Sequence, residues 1–570
     1  MGNRISGSVP LALLAVIAAC SSPRETRDLG AQPTSPKPNR TVVIIGREVT
    51  SLAGKPLQGR SGSAGSVVIP FNASLDRYDE QGEPVPLLAE QLPQLATDSW
   101  RVFPDGRMET TYRLKPNLTW QNGDPLTAND FVFSWRVYST PDFGTSGAPI
   151  SYMEDVRALD PRTLVIAWNQ PYPDAAILGP AGFPPLPRTI LGQSFEEMDP
   201  VQFAGLPFWV SEYVGLGPYK VDHLEAGSSI EASAFDGYVL GRPKIERMRL
   251  SFIQDPNTAI AWLQSGEGHF ITDFIIGPDD ARAIEELAGG QARGPAVDDA
   301  PTIARFTSFQ FRSGYQDPAL LGDPRVRKAI AYSIDNASAL DAITFGKGKI
   351  VPVPLSAVEP TALAFQPALE KAIPTYGYDP QRAQQLLETA GLSRGSNGLF
   401  RAPDGSPFRF EFGFIQQASN ARENAIFVDS LHRAGIDAFS RAYTQAELLT
   451  PGARALFPAL FTGSGTTLTR LTSDEIPRPE KRWTGQNYGG WENPDYDRLK
   501  ATFDVTLEPS ERAEIILRMG QTYFDQLPGI THYLTPTVIA WSGDLTGVVP
   551  RAGHPTVTPL DYIYRWDWKP

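Results

Sequence analysis

The chain is poor in the residues that most often do chemistry. Its 570 residues contain one cysteine, Cys20, and five histidines. A single cysteine excludes an intramolecular disulfide and a cysteine-based zinc site. His223, His269, His432, His532 and His554 stand far apart and form no HExxH or HxH pair, so no metal or other cofactor is expected. Basic runs are missing as well. With a formal net charge of −13 the chain lacks the cationic surface that a phosphate backbone demands, which sets nucleic acid aside as a partner. Beyond the N-terminus no stretch approaches the roughly 18–20 apolar residues of a membrane span, so the body is expected to be soluble.

Catalytic signatures are equally scarce. A nucleophile must be poised by a base. No GxSxG elbow occurs, and residues 144–148, GTSGA, fail at the last position. No SxxK is coupled to SDN or KTG. Residues 54–61, GKPLQGRS, miss a phosphate loop by carrying Arg60 where lysine should stand. The paired carboxylates Glu196-Glu197, Asp279-Asp280 and Asp298-Asp299 lie in polar, loop-like contexts, where surface solvation explains them better than glycosidase chemistry. The chain is not expected to be an enzyme.

What is present is the material of a folded α/β protein. Hydrophobic residues at 41% and charged residues at 20% exclude a disordered chain. The length exceeds one core and implies two or three lobes of about 150–250 residues. The first twenty residues, MGNRISGSVPLALLAVIAAC, carry one charge, Arg4, then an apolar run of about 11 residues, long enough for a secretory signal core and too short for a span. The run closes on Ile17, Ala18, Ala19 and Cys20, which resembles a bacterial lipobox. A signal peptide over 1–19, lipidation at Cys20 and a Pro-rich flexible tether over 20–40 follow as expectations, the other reading being an ordinary signal peptide with a chance cysteine.

In the body, strand and helix signals alternate. TVVII (41–45), residues 108–114, 162–168 and 245–253 read as strands. Helix starts are marked by a repeated device, a short polar cap followed by proline: Asp323-Pro324, Asp379-Pro380 and Asn493-Pro494, with Asp335 capping a further helix directly after the first. Thr127 and Asp130 have capping-box spacing. In DPRVRKAIAYSID (323–335), Val326, Ala329, Ile330, Ser333 and Ile334 share a face. In 509–527 the inward set is Ala513, Ile516, Leu517, Tyr523 and Phe524. The aromatics at 309–311 and 483–491 suit either a core or a pocket.

Four blocks in order resemble one family, the extracytoplasmic solute-binding proteins of the peptide/nickel/opine class that serve ABC importers. They are YRLKPNLTWQNGDPLTANDFVFSW (112–135), the segment from GLGPYK to GEGHF (215–270), the helix pair from 323 to 343, and YDPQRAQQLLETAGL followed by NYGGWENPDYDRL (487–499). The resemblance covers roughly 41–570. It implies a two-lobed, periplasmic-binding-protein-like α/β fold of the class II type: a first lobe over 41–305 with an extra subdomain within about 70–215, a second over 306–529, and a return to the first over 530–570. It also implies a lipid-anchored, extracytoplasmic monomer that captures a peptide or small solute by lobe closure and passes it to permease subunits. Placement by resemblance offers Gln58, Arg60, Gly463, Ser464, Gly465, Thr466, Asn487, Tyr488 and Trp491 as ligand-binding residues. Peptide-binding members carry an acidic residue before the NY block. Here the matching stretch, ALFTGSGTTLT (459–469), has no carboxylate, so weak or no binding of peptides with a free N-terminus is expected, unless Asp474 or Glu475 supplies the charge. A receptor for a non-peptide solute, such as an opine, a sugar or a modified peptide, and a sensor or scaffold lipoprotein without transport stay open.

Overall fold

The apolar run that opens the body forms the strand Thr41–Gly46. It pairs in parallel on both sides, with Arg247–Phe252 and with Phe270–Ile271. Successive side chains leave opposite faces of a sheet. Val42 and Ile44 therefore join one buried cluster and Ile45 another, and a strand covered on both faces reads as continuously apolar. The computed structural model describes residues 41–570 apart from 58–64, 146, 291–293, 354, 356–359, 465 and 552–555. The signal-peptide and tether expectations lie outside the described residues.

This strand sits fourth in a seven-stranded mixed sheet ordered 296–298, 539–541, 270–271, 41–46, 247–252, 229–234, 219–225. Between its first and second strands in sequence the chain builds a separate four-stranded antiparallel sheet from Trp100–Val102, Met108–Arg113, Thr163–Trp168 and Met153–Asp160. The helix Ala128–Tyr138 packs on it through Phe131, Val137 and Tyr138, all without exposed surface. Asp130 accepts from the Thr127 N–H at 2.8 Å, which satisfies a donor that the helix start leaves open.

A five-stranded sheet, ordered 437–443, 409–415, 460–464, 301–309, 529–536, forms the other half. The helices Pro324–Ser333, Asn336–Thr344, Pro380–Thr389 and Ala418–Arg433 share its core. Val326, Ala329, Ile330, Ser333 and Ile334 have no exposed surface, as their shared face requires. A further apolar cluster lies between Pro494–Val505 and Pro509–Gln526.

The chain passes between the two large sheets twice, side by side. Ala296–Asp298 pairs with Ile539–Trp541 in the first sheet, and Pro301–Phe309 pairs with Gly529–Pro536 in the second. Asp299 and Ala300 alone separate one pair of strands, and Thr537 and Val538 the other. The expected boundaries at 305/306 and 529/530 fall inside the 301–309 and 529–536 strands. Extended chain runs through each crossing without a turn residue to mark it.

Candidate ligand-binding cleft

A cavity of about 410 Å3 opens between the inserted four-stranded unit and the helices of the five-stranded half. Its first wall carries Tyr78, Tyr152, Tyr172 and Asp174, then Leu178, Gly179, Ala181 and Gly182. The Tyr172 ring lies 5.3 Å from Tyr152 and 5.1 Å from Trp168, centroid to centroid, so the wall is built on packed aromatics. Asp76 shapes the turn behind it. One of its carboxylate oxygens accepts from the N–H groups of Leu178 at 3.0 Å and Gly179 at 2.9 Å. Burial, opposed by these hydrogen bonds, pushes the Asp76 carboxyl up to about 6. Lys55 donates to the Ala181 carbonyl at 3.4 Å, and burial pushes its ammonium down to about 8.

The second wall is cationic. Arg512 stands in the first turn of Pro509–Gln526 and is 5% exposed. Its Nη1 donates to the Phe503 carbonyl at 2.7 Å and the Thr506 carbonyl at 3.2 Å, closing the C-terminus of the preceding helix, and its guanidinium lies 3.9 Å from the Phe503 ring centroid. A cation at a helix C-terminus also meets the negative end of the backbone dipoles. Lys500 holds both oxygens of Asp504, at 2.7 and 2.6 Å. Arg470 ends the short turn Leu468–Arg470, and its ion-pair partner among the described residues is Glu475 at 3.9 Å.

The residues expected from sequence divide into three groups. Gly463 and Ser464 end the strand Leu460–Ser464 beside Phe306 and Arg305 of the crossing strand, and Thr466 is buried with its hydroxyl on the Gln486 carbonyl at 3.3 Å. This stretch leads within one turn to Arg470 in the cleft. Asn487, Tyr488 and Trp491 do not line the cleft. Asn487 is buried and donates to the carbonyls of Leu471, Thr472 and Trp491 at 3.1, 3.0 and 2.8 Å while accepting from the Trp491 N–H at 3.2 Å, so its amide staples a loop. Trp491 packs edge-on to Tyr496 at 5.0 Å and borders a separate groove of about 750 Å3 within the same half. Tyr488 is half-buried against Tyr443, Phe457 and Phe461. Gln58, Arg60, Gly465 and Cys20 lie outside the described residues. Asp474 pairs with Lys481 at 2.5 Å and Glu475 accepts from the Gln486 N–H at 3.1 Å; neither lines the cleft.

Sequence reasoning missed Arg470, Lys500, Arg512 and the three tyrosines. Arg470 carried a usable signal, being the first charge after the carboxylate-free stretch; the others carried none, because only folding brings them together. Among the described residues no three His, Cys, Asp or Glu side chains come together as a metal site, and no helix is long and apolar enough to cross a membrane.

Two sheet-and-helix halves, joined by two short neighbouring connections and walling a cavity between them, define a two-lobed binding protein of the periplasmic type. The chain belongs to the bacterial extracellular solute-binding proteins, family 5, whose middle-region model matches residues 90–470. That family is one of binding proteins. Proteins of Brucella, provisionally named ABC transporter peptide-binding proteins, are 25% identical over 316 residues, which is 55% of this chain; the chain spans about half the length, 55%, of these curated relatives. Among solved structures, NikZ from Campylobacter jejuni in complex with Ni(L-His) has a TM-score of 0.73 at 20% identity, with 93% of this chain and 100% of that one covered. The oligopeptide-binding protein AppA from Bacillus subtilis, in complex with a nonapeptide, has a TM-score of 0.68 at 19% identity, with coverages of 93% and 99%. At such identities the likeness speaks for the fold.

Proposed function

We propose that this chain is the solute-capturing component of an ABC importer, tethered by an acylated Cys20. Its lobes, which meet at the connections 299–300 and 537–538, close on a peptide-like solute and deliver it unchanged to permease subunits. One observation carries the reading: the cavity takes its walls from both halves, and two short adjacent connections join those halves. Such connections are where hinge closure concentrates its motion. Support comes also from the family and from relatives and neighbours named for peptides and for a nickel complex.

A solute without a free ammonium fits best. Residues 459–470 hold no carboxylate, and neither Asp474 nor Glu475 lines the cleft. Of the two carboxylates that do line it, Asp504 is neutralised by Lys500 and Asp174 is outnumbered by Arg470 and Arg512. An ammonium buried there meets a net positive lining, at a cost on the order of several kcal/mol. Calorimetric titration of the mature chain tests this with two pools of tri- to pentapeptides, N-acetylated and free. The acetylated pool is expected to bind at least tenfold more tightly and to shrink the radius of gyration in solution scattering. Sub-micromolar binding of the free pool would sink the blocked-solute reading, and silence from both would count against a peptide-like solute. The intact mass of protein extracted from membranes with detergent reports acyl chains on Cys20, or their absence.

A further inference from the structure

The charges lining the cleft are unequal, and this inference about what it selects rests on the receptor reading above. Arg470, Lys500 and Arg512 line it against two carboxylates, Asp174 and Asp504. Lys500 and Asp504 neutralise each other. Arg512 is anchored on main-chain carbonyls, so its charge stays in the wall whatever binds. Arg470 is different. It stands at 3.9 Å from Glu475, beyond hydrogen-bond range, with its side chain 36% exposed, and its planar fork of N–H groups is open to a guest. The opposite wall also presents donors. Burial, then the charges of Asp76 and Asp174, hold the Tyr78 phenol well above its ordinary pKa, so it stays protonated. Lys55 adds a positive group on the Ala181 carbonyl.

We propose that the cleft selects solutes bearing a carboxylate, which Arg470 grips with two parallel N–H bonds while the fixed charge of Arg512 attracts it from the same wall. A guanidinium whose ion-pair partner stands beyond hydrogen-bond range, in a half-enclosed site, attracts an anionic guest and repels a cationic one, so the same arrangement favours one class and rejects the other.

The probes are N-acetylated, C-amidated tripeptides of one length bearing two glutamate, two glutamine or two lysine side chains, titrated into the full mature chain. The glutamate peptide is expected to bind at least tenfold more tightly than the glutamine peptide, with lysine weakest, and its affinity to fall with added salt. Arg470→Gln is expected to abolish the glutamate preference, and Arg470→Lys, which keeps the charge and loses the fork, to keep part of it; the melting temperature of each variant checks that it folds. Equal or tighter binding of the glutamine or lysine peptide overturns this proposal and leaves the receptor reading standing. A glutamate preference that survives Arg470→Gln likewise overturns it. Silence from all three peptides counts against the receptor reading and takes this proposal with it.

Discussion

His532 has no exposed surface, and both ring nitrogens are engaged, Nδ1 with Asn336 Oδ1 and Nε2 with Thr307 Oγ1, each at 2.7 Å. The ring stacks on Phe427 at 4.4 Å. Burial pulls its pKa down to about 3 from an ordinary value of 6.5. The Glu423 charge opposes the shift and Arg305 adds to it. Glu423 is already held by Arg305 and by the Tyr533 hydroxyl, so it does little for an imidazolium. With the folded pKa below the unfolded one, the unfolded chain takes the proton first as pH falls. Stability from this site is therefore full above pH 6.5 and is lost progressively toward pH 3. Urea titrations across pH 4 to 7.5 should show the protein taking up one proton on unfolding at this site, and His532→Asn should flatten the slope by that proton. An unchanged slope would remove His532 from the account. Asp76 acts in the opposite sense: its folded pKa of about 6 exceeds the ordinary 3.8, so its contribution is lost as pH rises between those values.

At the scale of elements, local signals translated directly. Asp323, Asp335 and Asp379 accept N–H bonds at 2.8, 3.0 and 2.9 Å at the starts of their helices, and Asn493 accepts two at 3.0 Å. A cap is legible because donor and acceptor lie within four residues of each other. The motif glycines were legible as motif and not as mechanism. In GLGPYK a Cβ on Gly217 would collide with the main chain of Phe71 and Asn72, and in NYGGW one on Gly489 would strike the Phe309 carbonyl. Close approach of backbone, rather than a turn, is what these positions require. Gly217→Ala should therefore destabilise the protein by about 1–3 kcal/mol in urea unfolding; a change within 0.5 kcal/mol would show that the contact yields. The helix Pro509–Gln526 departs from its sequence reading. Ile516 and Tyr523 are buried as expected, but Ala513, Leu517 and Phe524 are only half-buried, and Arg512, Met519 and Gly520 go inside. Gly520 meets Leu369 closely, and the Arg512 head group is satisfied by carbonyls, so an arginine can face inward where hydrophobicity alone forbids it.

The two halves are tied outside the cleft by charges, among them Asp279 and Asp299 of the carboxylate pairs that read as solvated surface. From the helix Pro278–Ala288, Asp279 meets Arg422 at 2.9 Å and Glu285 meets Lys347 at 2.7 Å. Lys347 also holds Asp299, in the connection itself, at 2.6 Å. Asp298, likewise read as surface, is 7% exposed and accepts from the Ala300 N–H at 3.1 Å. Exposed pairs of this kind contribute up to about 1 kcal/mol each and weaken with salt. The variant carrying Lys347→Ala and Arg422→Ala should exchange the amides of residues 299–300 and 537–538 faster than wild type at low salt, with the difference shrinking at high salt. Equal exchange at low salt would show that the ties do not restrain the hinge.

Neighbours along the chain settled the strands of 41–46 and 108–113, the capped helices and their order, and that order was enough to reach the family. Each of these features depends on hydrogen bonds or side-chain spacing within a few residues, so folding has little freedom to change it. The tertiary structure decided the cleft. Asn487 became a staple because its amide meets the carbonyls of Leu471 and Thr472 on one side and of Trp491 on the other, and Arg470 kept an open fork because Asp474 turned to Lys481 and Glu475, bonded to the Gln486 amide, stays 3.9 Å away. Charge balance in a cavity is set by which distant side chains find one another first, and no local rule in the sequence encodes that pairing.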